Sequence, residues 1–234
     1  MAVFSVLSYN IHECVGSDRQ RNPARIAQVI NESGAQIVGL QEVHSDASGA
    51  EELHQMNYLS AATGLRAIAG PAVERRNGHY GNVLLTNHKV LAVHNLSLTY
   101  QGREPRGAID VDLEIGRAKV RVMVTHLGLR APERRFQVKK LLRALAEPRA
   151  STVIILSDFN EWLPIRRSLR SIHTRLGKTA LMRTFPAAFP IFALDRIWVA
   201  PAPALVKISC LRTRLTRVAS DHLPLQAIIQ APAE

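Results

Sequence analysis

The sequence predicts an α+β fold in which two mainly antiparallel β-sheets pack face to face with helices outside, in one domain spanning residues 1–234. Predicted strands outnumber predicted helices, nine to three. A hairpin is mixed with helical crossovers, whereas a doubly wound fold would alternate strand and helix more strictly. No linker, low-complexity segment or internal repeat interrupts the chain. With 47% apolar and 21% charged residues, a chain of 234 residues can bury a core.

Short apolar runs, alternating or continuous, predict the strands. The predicted strands span residues 3–10, 37–42, 81–86, 108–113, 119–126, 152–157, 194–199, 205–211 and 223–229. Gly116 lies in a tight connection between two of them, which predicts a β-hairpin there.

Three helices are predicted at 23–33, 50–62 and 132–147. Pro23 suits a first helical turn and Gly34 a C-cap, so the first helix has clear bounds. The third has an expected apolar face and an expected basic face. The apolar face comprises Phe136, Leu141, Leu142 and Leu145, and the basic face comprises Arg134, Arg135, Lys139, Lys140 and Arg143. Residues 161–190 are basic and interrupted by prolines, so we expect them to be irregular.

The net charge of +11 is unevenly distributed. Residues 1–115 hold 9 Lys or Arg and 12 Asp or Glu, whereas residues 116–234 hold 21 and 7. This asymmetry favours an anionic partner such as nucleic acid, a phospholipid surface or a phosphorylated substrate. Arg outnumbers Lys by 24 to 6, so a genome biased toward Arg and Ala codons would also produce this charge asymmetry without any functional cause.

Several protein classes are disfavoured. No apolar run reaches the roughly 18 residues that a membrane-spanning helix needs. The N-terminal MAVFSVLSYNIHE lacks the basic start and cleavage site of a signal peptide and is interpreted as a strand. Cys14 and Cys210 show no metal-ligand spacing and no favoured disulfide. We therefore expect a monomer in a reducing cytoplasm.

Unusual polar residues stand at the ends or beginnings of the predicted strands. They are Asn10, Glu42, His126, Asp158, Asn160, Asp195, Asp221 and His222. Carboxylates gathered at one partly desolvated rim would repel one another without a cation. Hard oxygen ligands such as Glu42 and Asp221, with an Asn amide, indicate Mg²⁺, and the absence of a cysteine cluster disfavours zinc.

Eight segments, taken in order, resemble the endonuclease/exonuclease/phosphatase superfamily with its DNase I-like fold. They are SYNIHE (8–13), GLQEV (39–43), YGNVLLT (80–86), EPRGA (104–108), THLG (125–128), SDFNEW (157–162), LDRIWV (194–199) and SDHLPL (220–225). The resemblance covers nearly the whole chain. It implies a four-layer α/β/β/α sandwich and hydrolysis of phosphoester bonds with a divalent metal, Mg²⁺ or alternatively Mn²⁺.

The resemblance also assigns roles to single residues. It implies that Glu42 is the main metal ligand, with Asn10 and Asp221 near the same ion. It implies that Asp158 orients or deprotonates the attacking water and that Asn160 holds a phosphate oxygen. In an extended chain the side chains of Asp158 and Asn160 would face the same cavity, while Phe159 between them would face the core. The alternative is an Asx-turn that has only a structural role.

Five further residues are implied around the phosphoryl group. His222 resembles the histidine that meets the phosphorane, and Asp195 the carboxylate that fixes its imidazole. His126 resembles a second histidine near the leaving group. Tyr80 and Arg106 would grip the phosphate, the arginine through its bidentate fork. The alternative interpretations give these residues structural roles only. His222 would be a hydrogen-bonded core residue, Tyr80 would pack against its neighbours, and Arg106 would be a solvated turn residue.

The substrate is less defined, because one fold serves several phosphoesters. A nuclease-type phosphodiesterase is favoured, with basic segments 166–183 and 207–217 along a nucleic-acid backbone. NIHE, LQEV and DFNEW depart from the abasic-site endonuclease pattern. One alternative is a phospholipid or sphingomyelin-type phosphodiesterase or a phosphatase at an anionic membrane, with TFPAAFPIF (184–192) inserting, although core is favoured for that segment. Another is a non-catalytic nucleic-acid-binding module.

Overall fold

Two β-sheets form the centre of the structure, a computed structural model that describes residues 1–46, 54–76, 78–163 and 167–232. The six-stranded sheet has the order β10-β11-β1-β2-β4-β3, and the five-stranded sheet has the order β5-β6-β7-β8-β9. The strands of the first sheet are β1 (Ala2–Asn10), β2 (Ile37–Asp46), β3 (Arg66–Arg75), β4 (Gly78–Thr86), β10 (Leu205–Cys210) and β11 (Leu225–Ala231). Those of the second are β5 (Lys89–Ser97), β6 (Gly107–Ile115), β7 (Ala118–His126), β8 (Thr152–Asp158) and β9 (Asp195–Ala200).

The helices cover the outer faces of the two sheets. They are α1 (Pro23–Ser33), α2 (Gln55–Thr63), α3 (Ala131–Ala144), α4 (Arg167–Leu176) and α5 (Thr216–Ala219). One core cluster lies between the sheets. A second joins α1 and α2 to the first sheet, and a third joins α3 and α4 to the second sheet. This layering confirms the predicted α/β/β/α sandwich.

Two parallel strand pairs bring polar strand ends to one edge. The pair β1 and β2 is connected through α1, and the pair β7 and β8 through α3. The register aligns Asn10 with Gln41 in the first pair and His126 with Asp158 in the second. The parallel pairing of β1 with β2 stops at Asn10, but β2 continues to Asp46, so Glu42 lies within the strand and the predicted strand end at residue 42 was wrong. Because the carboxyl ends of parallel strands meet at the same edge of a sheet, the polar residues that end β1, β7 and β8 form a side-chain cluster with Glu42.

The predicted α1 and the predicted hairpin are confirmed. Pro23 begins α1, and Gly34 follows it in the left-handed conformation, with φ of 61°. Gly116 connects β6 and β7 with φ of 63°, a value that glycine adopts without steric cost. The predicted helix 50–62 is observed as α2 from Gln55, while residues 50–53 lie outside the described part of the chain.

Two strands were not predicted, β3 and β5. In β3, Gly70 and Pro71 interrupt the apolar pattern with residues that normally indicate a turn. β5 is an edge strand that pairs only with β6 within the described sheet, and its Leu91 and Val93 stay exposed. Pairing across the sheet stabilises both strands where the local pattern is weak.

The predicted faces of α3 were wrong at two positions. Phe136 is 36% exposed, whereas Arg134 is buried and forms two hydrogen bonds to Glu161 at 3.1 and 3.2 Å. Arg134 can be buried because its charge is paired with the Glu161 carboxylate, which is distant in sequence.

The prediction that residues 161–190 are irregular was wrong in part, because α4 lies within this segment.

Both cysteines are free: Cys14 is buried and Cys210 is half-buried. None of the helices in the described ranges is long and apolar enough to span a membrane.

Candidate active site

Asn10, at the end of β1, joins two carboxylates from different sheets. Its Nδ2 donates to Glu42 Oε1 at 2.9 Å and to Asp158 Oδ2 at 3.0 Å. Its Oδ1 accepts from the backbone N–H of His12 at 3.0 Å. Asn10 therefore presents its amide nitrogen to the carboxylates, whereas the sequence expectation placed it near a metal ion.

Asp158 and Asn160 meet through a turn. The strand ends at Asp158, and Asn160 adopts the left-handed conformation with φ of 48°. The backbone N–H of Asn160 donates to Asp158 Oδ1 at 2.9 Å, which is an Asx-type contact. Phe159 is fully buried, as predicted. The two polar side chains thus share a site, but a turn places them there and not the alternation of an extended strand.

His222 and Asp195 form a buried pair. His222 Nδ1 lies 2.8 Å from Asp195 Oδ2, and its Nε2 lies 3.7 Å from Asp158 Oδ2. Burial alone would lower the pKa of His222, but the carboxylates of Asp195 and Asp158 outweigh burial and raise it to about 10. The imidazole of His222 is therefore cationic at neutral pH.

His126 lies beside the same oxygen of Asp158 as His222 does and has the opposite charge preference. Its Nε2 lies 3.4 Å from Asp158 Oδ2 and 2.9 Å from Asn160 Nδ2, and its Nδ1 lies 3.2 Å from Arg106 Nη1. Burial, followed by the Arg106 guanidinium, lowers the pKa of His126 to about 3. The site thus holds one cationic and one neutral imidazole around a single carboxylate.

Glu42 stands at an irregularity of β2, where the pairing with β4 shifts between Leu40 and Val43. Its φ of 57° is uncommon for a residue other than glycine. Burial raises the pKa of Glu42, and the nearby carboxylates of Asp158 and Asp221 raise it further, although the Asn10 hydrogen bond opposes them. A cation at this position would relieve both the desolvation and the repulsion.

Two groups of side chains offer ligand atoms within 4.8 Å of one another among the described residues. Glu42, His126 and Asp158 form the first group, and Asp158, Asp195 and His222 form the second. The second group already contains the hydrogen-bonded His222–Asp195 pair, so the first fits a divalent cation better. Asp221 belongs to neither group; its Oδ1 lies 3.8 Å from His12 Nδ1, and its side chain is 35% exposed.

Tyr80 and Arg106 lie beside the first group. Both line a small cavity that they share with Glu42 and His126. Arg106 is buried, and its Nη2 donates to Glu104 Oε2 at 3.0 Å. Burial and then the charge of Glu42 raise the pKa of the Tyr80 phenol, so the hydroxyl stays protonated and can donate. Arg106 is thus not the solvated turn residue of the alternative interpretation.

Ser220 is a structural contributor to which the sequence, beyond its place in the SDH motif, assigned no role. Its Oγ donates to the Asn10 carbonyl at 2.8 Å and accepts from the His222 backbone N–H at 3.3 Å. The hydroxyl therefore connects the end of β1 to the loop that carries His222. The signal available was its place in the SDH motif. The Leu127 carbonyl, which accepts from Asn160 Nδ2 at 2.9 Å, had no sequence signal.

Comparison with known proteins identifies similar chains. A sequence model described as the Endonuclease/Exonuclease/phosphatase family matches residues 7–222. An uncharacterized protein, YbhP of Escherichia coli strain K12, is 32% identical over 250 residues, covering 97% of this chain and 96% of the relative. A Bacteroides vulgatus endonuclease/exonuclease/phosphatase structure has a TM-score of 0.82 at 18% identity, covering 99% of this chain and 100% of its own. The mannosyl-6-phosphatase Bt3783 of Bacteroides thetaiotaomicron has a TM-score of 0.72 at 17% identity, covering 97% and 100%. These structures share the fold.

Proposed function

The chain belongs to the endonuclease/exonuclease/phosphatase family, and on that premise we propose that it is a divalent-metal-dependent phosphodiesterase of nuclease type acting on DNA or RNA. One observation carries the proposal. Asp158 Oδ2 receives the Asn10 amide at 3.0 Å and lies within 3.7 Å of both the His126 and His222 imidazoles. A carboxylate so surrounded suits proton transfer beside an anionic substrate.

Asp158 would accept the proton of the attacking water. Its Oδ1 is held by the Asn160 backbone N–H and its Oδ2 by the Asn10 amide, which fixes the carboxylate orientation. Because each carboxylate oxygen has its own donor, the side chain of Asp158 is held in one orientation toward the site.

His222 would stabilise the negative charge that develops on the phosphoryl oxygens. Its Nδ1 proton is held by Asp195, so its Nε2–H is the donor that faces the site. An imidazolium placed before the reaction needs little reorganisation as charge develops. The raised pKa of about 10 supports this role at neutral pH.

Arg106, Asn160 and Tyr80 would bind the phosphoryl oxygens, with His126 as a neutral hydrogen-bonding partner. The buried position of Arg106 leaves its guanidinium poorly solvated, which strengthens its attraction to an anion. The His126 imidazole separates this guanidinium from Asn160, so the three side chains form one continuous wall.

The metal, Mg²⁺ or Mn²⁺, would be held by Glu42 with Asp158, and Asp221 would contribute from the adjacent loop. The raised pKa of Glu42, caused by burial and neighbouring carboxylates, supports a cation there. Bound at that position, a divalent cation supplies Lewis-acid stabilisation of a phosphoryl oxygen.

A nucleic-acid substrate is supported by the distribution of charge. Within the basic segments 166–183 and 207–217, the exposed basic side chains are Arg170, Arg175, Lys178, Arg183, Lys207, Arg212, Arg214 and Arg217. Arg166 and the side chain of Arg167, which belong to the first segment, lie outside what the structure describes. Exposed cations of this density favour a phosphate backbone and predict a steep dependence of binding on salt.

One observation favours a second candidate, a phosphodiesterase or phosphatase acting at an anionic membrane. In the segment 184–192, Phe189 is 76% exposed and Ile191 is 47% exposed, so the expectation of a core segment is wrong for these two residues. Phe185 and Phe192 are partly buried, as a core segment would require. Exposed apolar residues near arginines also suit a lipid surface.

The experiment compares plasmid DNA, bis-p-nitrophenyl phosphate and p-nitrophenyl phosphate as substrates, with Mg²⁺, Mn²⁺ or EDTA. We expect metal-dependent DNA cleavage that is lost in Asp158→Ala and retained in Asp18→Ala, which removes an exposed aspartate outside the cluster. Turnover of the small esters with intact DNA would favour the membrane candidate. DNA binding without turnover, unchanged in Asp158→Ala, would indicate a non-catalytic binding module instead.

A further inference from the structure

A cavity of about 330 Å³ lies beside the candidate active site and has no role in the chemistry above. Its apolar wall is formed by Trp162, Leu181, Ile191 and Phe192. Its polar lining comes from Glu161, Arg183 and Arg196. The volume is at the lower end of the roughly 300–1,000 Å³ of small-molecule sites, which suits one planar group.

Aromatic contacts connect this cavity to the catalytic imidazole. The Trp162 ring lies 4.8 Å from Phe192 and 5.7 Å from Phe185, measured between centroids. Phe185 in turn lies 4.9 Å from the His222 ring. Only the Phe185 side chain therefore separates Trp162 in the cavity wall from His222. A substituent of a phosphodiester bound at His222 would lie close to this cavity.

Arg196 lines the cavity and carries one donor without a partner. The residue is 1% exposed, and its Nη1 donates to the backbone carbonyls of Ala193 and Asp195. Its Nε has no hydrogen-bond partner within the described ranges of the chain. Burial lowers the pKa of Arg196, while the carboxylates of Asp195, Asp158 and Glu161 raise it. A buried donor without an acceptor is costly, so a ligand with acceptor atoms is favoured over a purely aliphatic one.

The rim adds exposed apolar surface and one further cation. Trp162 is 40% exposed, Leu181 53% and Ile191 47%, and Arg183 is also exposed. Exposed apolar residues grouped around a cavity indicate a binding site more than single scattered ones do. A nucleobase combines the required features, because it has two π faces for apolar walls and acceptor atoms on its edges.

We propose that the cavity lined by Trp162, Phe192 and Arg196 is a subsite for one unpaired nucleobase adjacent to the scissile phosphate. This inference rests on the proposed nuclease function and narrows its substrate to single-stranded or locally opened nucleic acid. Trp162 and Phe192 would contact the base through their rings, and Arg196 would donate to an acceptor on its edge.

Binding in EDTA tests the proposal without depending on turnover. The probes are fluorescein-labelled dodecamers, one of thymidine and one of base-free spacers with the same number of phosphates. We expect the wild-type protein to bind the thymidine oligomer about 10-fold more tightly. That preference should disappear in Trp162→Ala and persist in Trp162→Phe. It should also persist in Phe136→Ala, which removes a similarly exposed aromatic residue outside the cavity.

Three results separate this inference from the proposed function. Equal affinity for the two oligomers, unchanged in Trp162→Ala, would overturn the nucleobase subsite while leaving DNA cleavage intact. Preferential binding to phosphatidylglycerol vesicles that is lost in Trp162→Ala, without base preference, would assign the cavity to a lipid surface and also overturn it. A thymidine preference that depends on Trp162 in a protein without hydrolytic activity would support the subsite and refute the enzymatic proposal.

Discussion

Asp195 Oδ2 lies 2.8 Å from His222 Nδ1, and both side chains are almost fully buried. Asp195 therefore stabilises a positive charge on His222 in a place where desolvation opposes it. His126 also lies beside Asp158, but burial and then the neighbouring Arg106 guanidinium lower its pKa and keep it neutral. The proposed chemistry depends on this difference between two otherwise similar imidazoles.

Asp195→Asn should lower the pKa of His222 in the metal-free protein. The wild-type pKa is raised to about 10 by Asp195 and Asp158 against the effect of burial, so without the Asp195 charge burial has the larger effect. The titration of the His222 ring protons, followed by NMR in EDTA, measures this. An unchanged titration midpoint in the variant would show that Asp195 does not control the charge of His222.

The same pair should make stability depend on pH. Because the folded-state pKa of His222 lies above the unfolded value of about 6.5, its stabilising contribution is complete below pH 6.5 and disappears as the pH rises through 10. Urea unfolding in EDTA at pH 6 and pH 10 should therefore show a larger loss of unfolding free energy for wild type than for Asp195→Asn. Equal losses in the two proteins would contradict the prediction.

Glu42→Gln should weaken divalent-metal binding by roughly an order of magnitude, since it removes a charged oxygen ligand. In EDTA the variant should be at least as stable as wild type, because the Glu42 carboxylate is partly desolvated and is repelled by Asp158 and Asp221. Thermal unfolding with and without Mg²⁺ measures both effects. Glu32→Gln, on the exposed surface of α1, serves as the control. A wild-type shift of melting temperature with Mg²⁺ in Glu42→Gln would exclude this residue as a ligand.

Arg106→Gln and Arg106→Lys should both lower kcat/KM for the phosphoester substrate by about 10- to 100-fold. Lysine keeps the charge but not the planar fork that contacts His126 and Glu104 together, so it should not restore activity. Steady-state kinetics and inhibition by inorganic phosphate measure the effect, with the exposed Arg103→Gln as control. Full activity in Arg106→Lys would show that charge alone is sufficient.

Asn160→Ala should be about 1 kcal/mol less stable than Asn160→Gly. The φ of 48° at this position is costly for alanine and accessible to glycine, and the difference exceeds the extra unfolded-state entropy of glycine. Both variants lack the amide, so both should lose activity to a similar extent. Urea unfolding and initial rates separate the two effects. Equal stability of the two variants would show that the local backbone relaxes on substitution.

Much of the molecule followed from local sequence signals. The ends of α1 were predictable because Pro23 and Gly34 have backbone requirements of their own. The core strands were predictable because their apolar patterns match burial. By contrast, β5 is an edge strand with exposed Leu91 and Val93, so no buried periodicity indicated it.

The residue types of the candidate site were also present in the sequence, as unusual polar residues at strand ends. Their number, order and position beside apolar runs predicted a polar rim. They also predicted that the negative charges of its carboxylates would need a cation or another partner nearby. Only the tertiary structure decided which groups touch. The turn at Asn160, the inward position of Arg134 and the orientation of the Asn10 amide depend on partners from other elements. Charge states were decided there too, because the pKa of a buried group depends on distances to charges and on desolvation, and neither quantity exists until distant segments of the chain pack together.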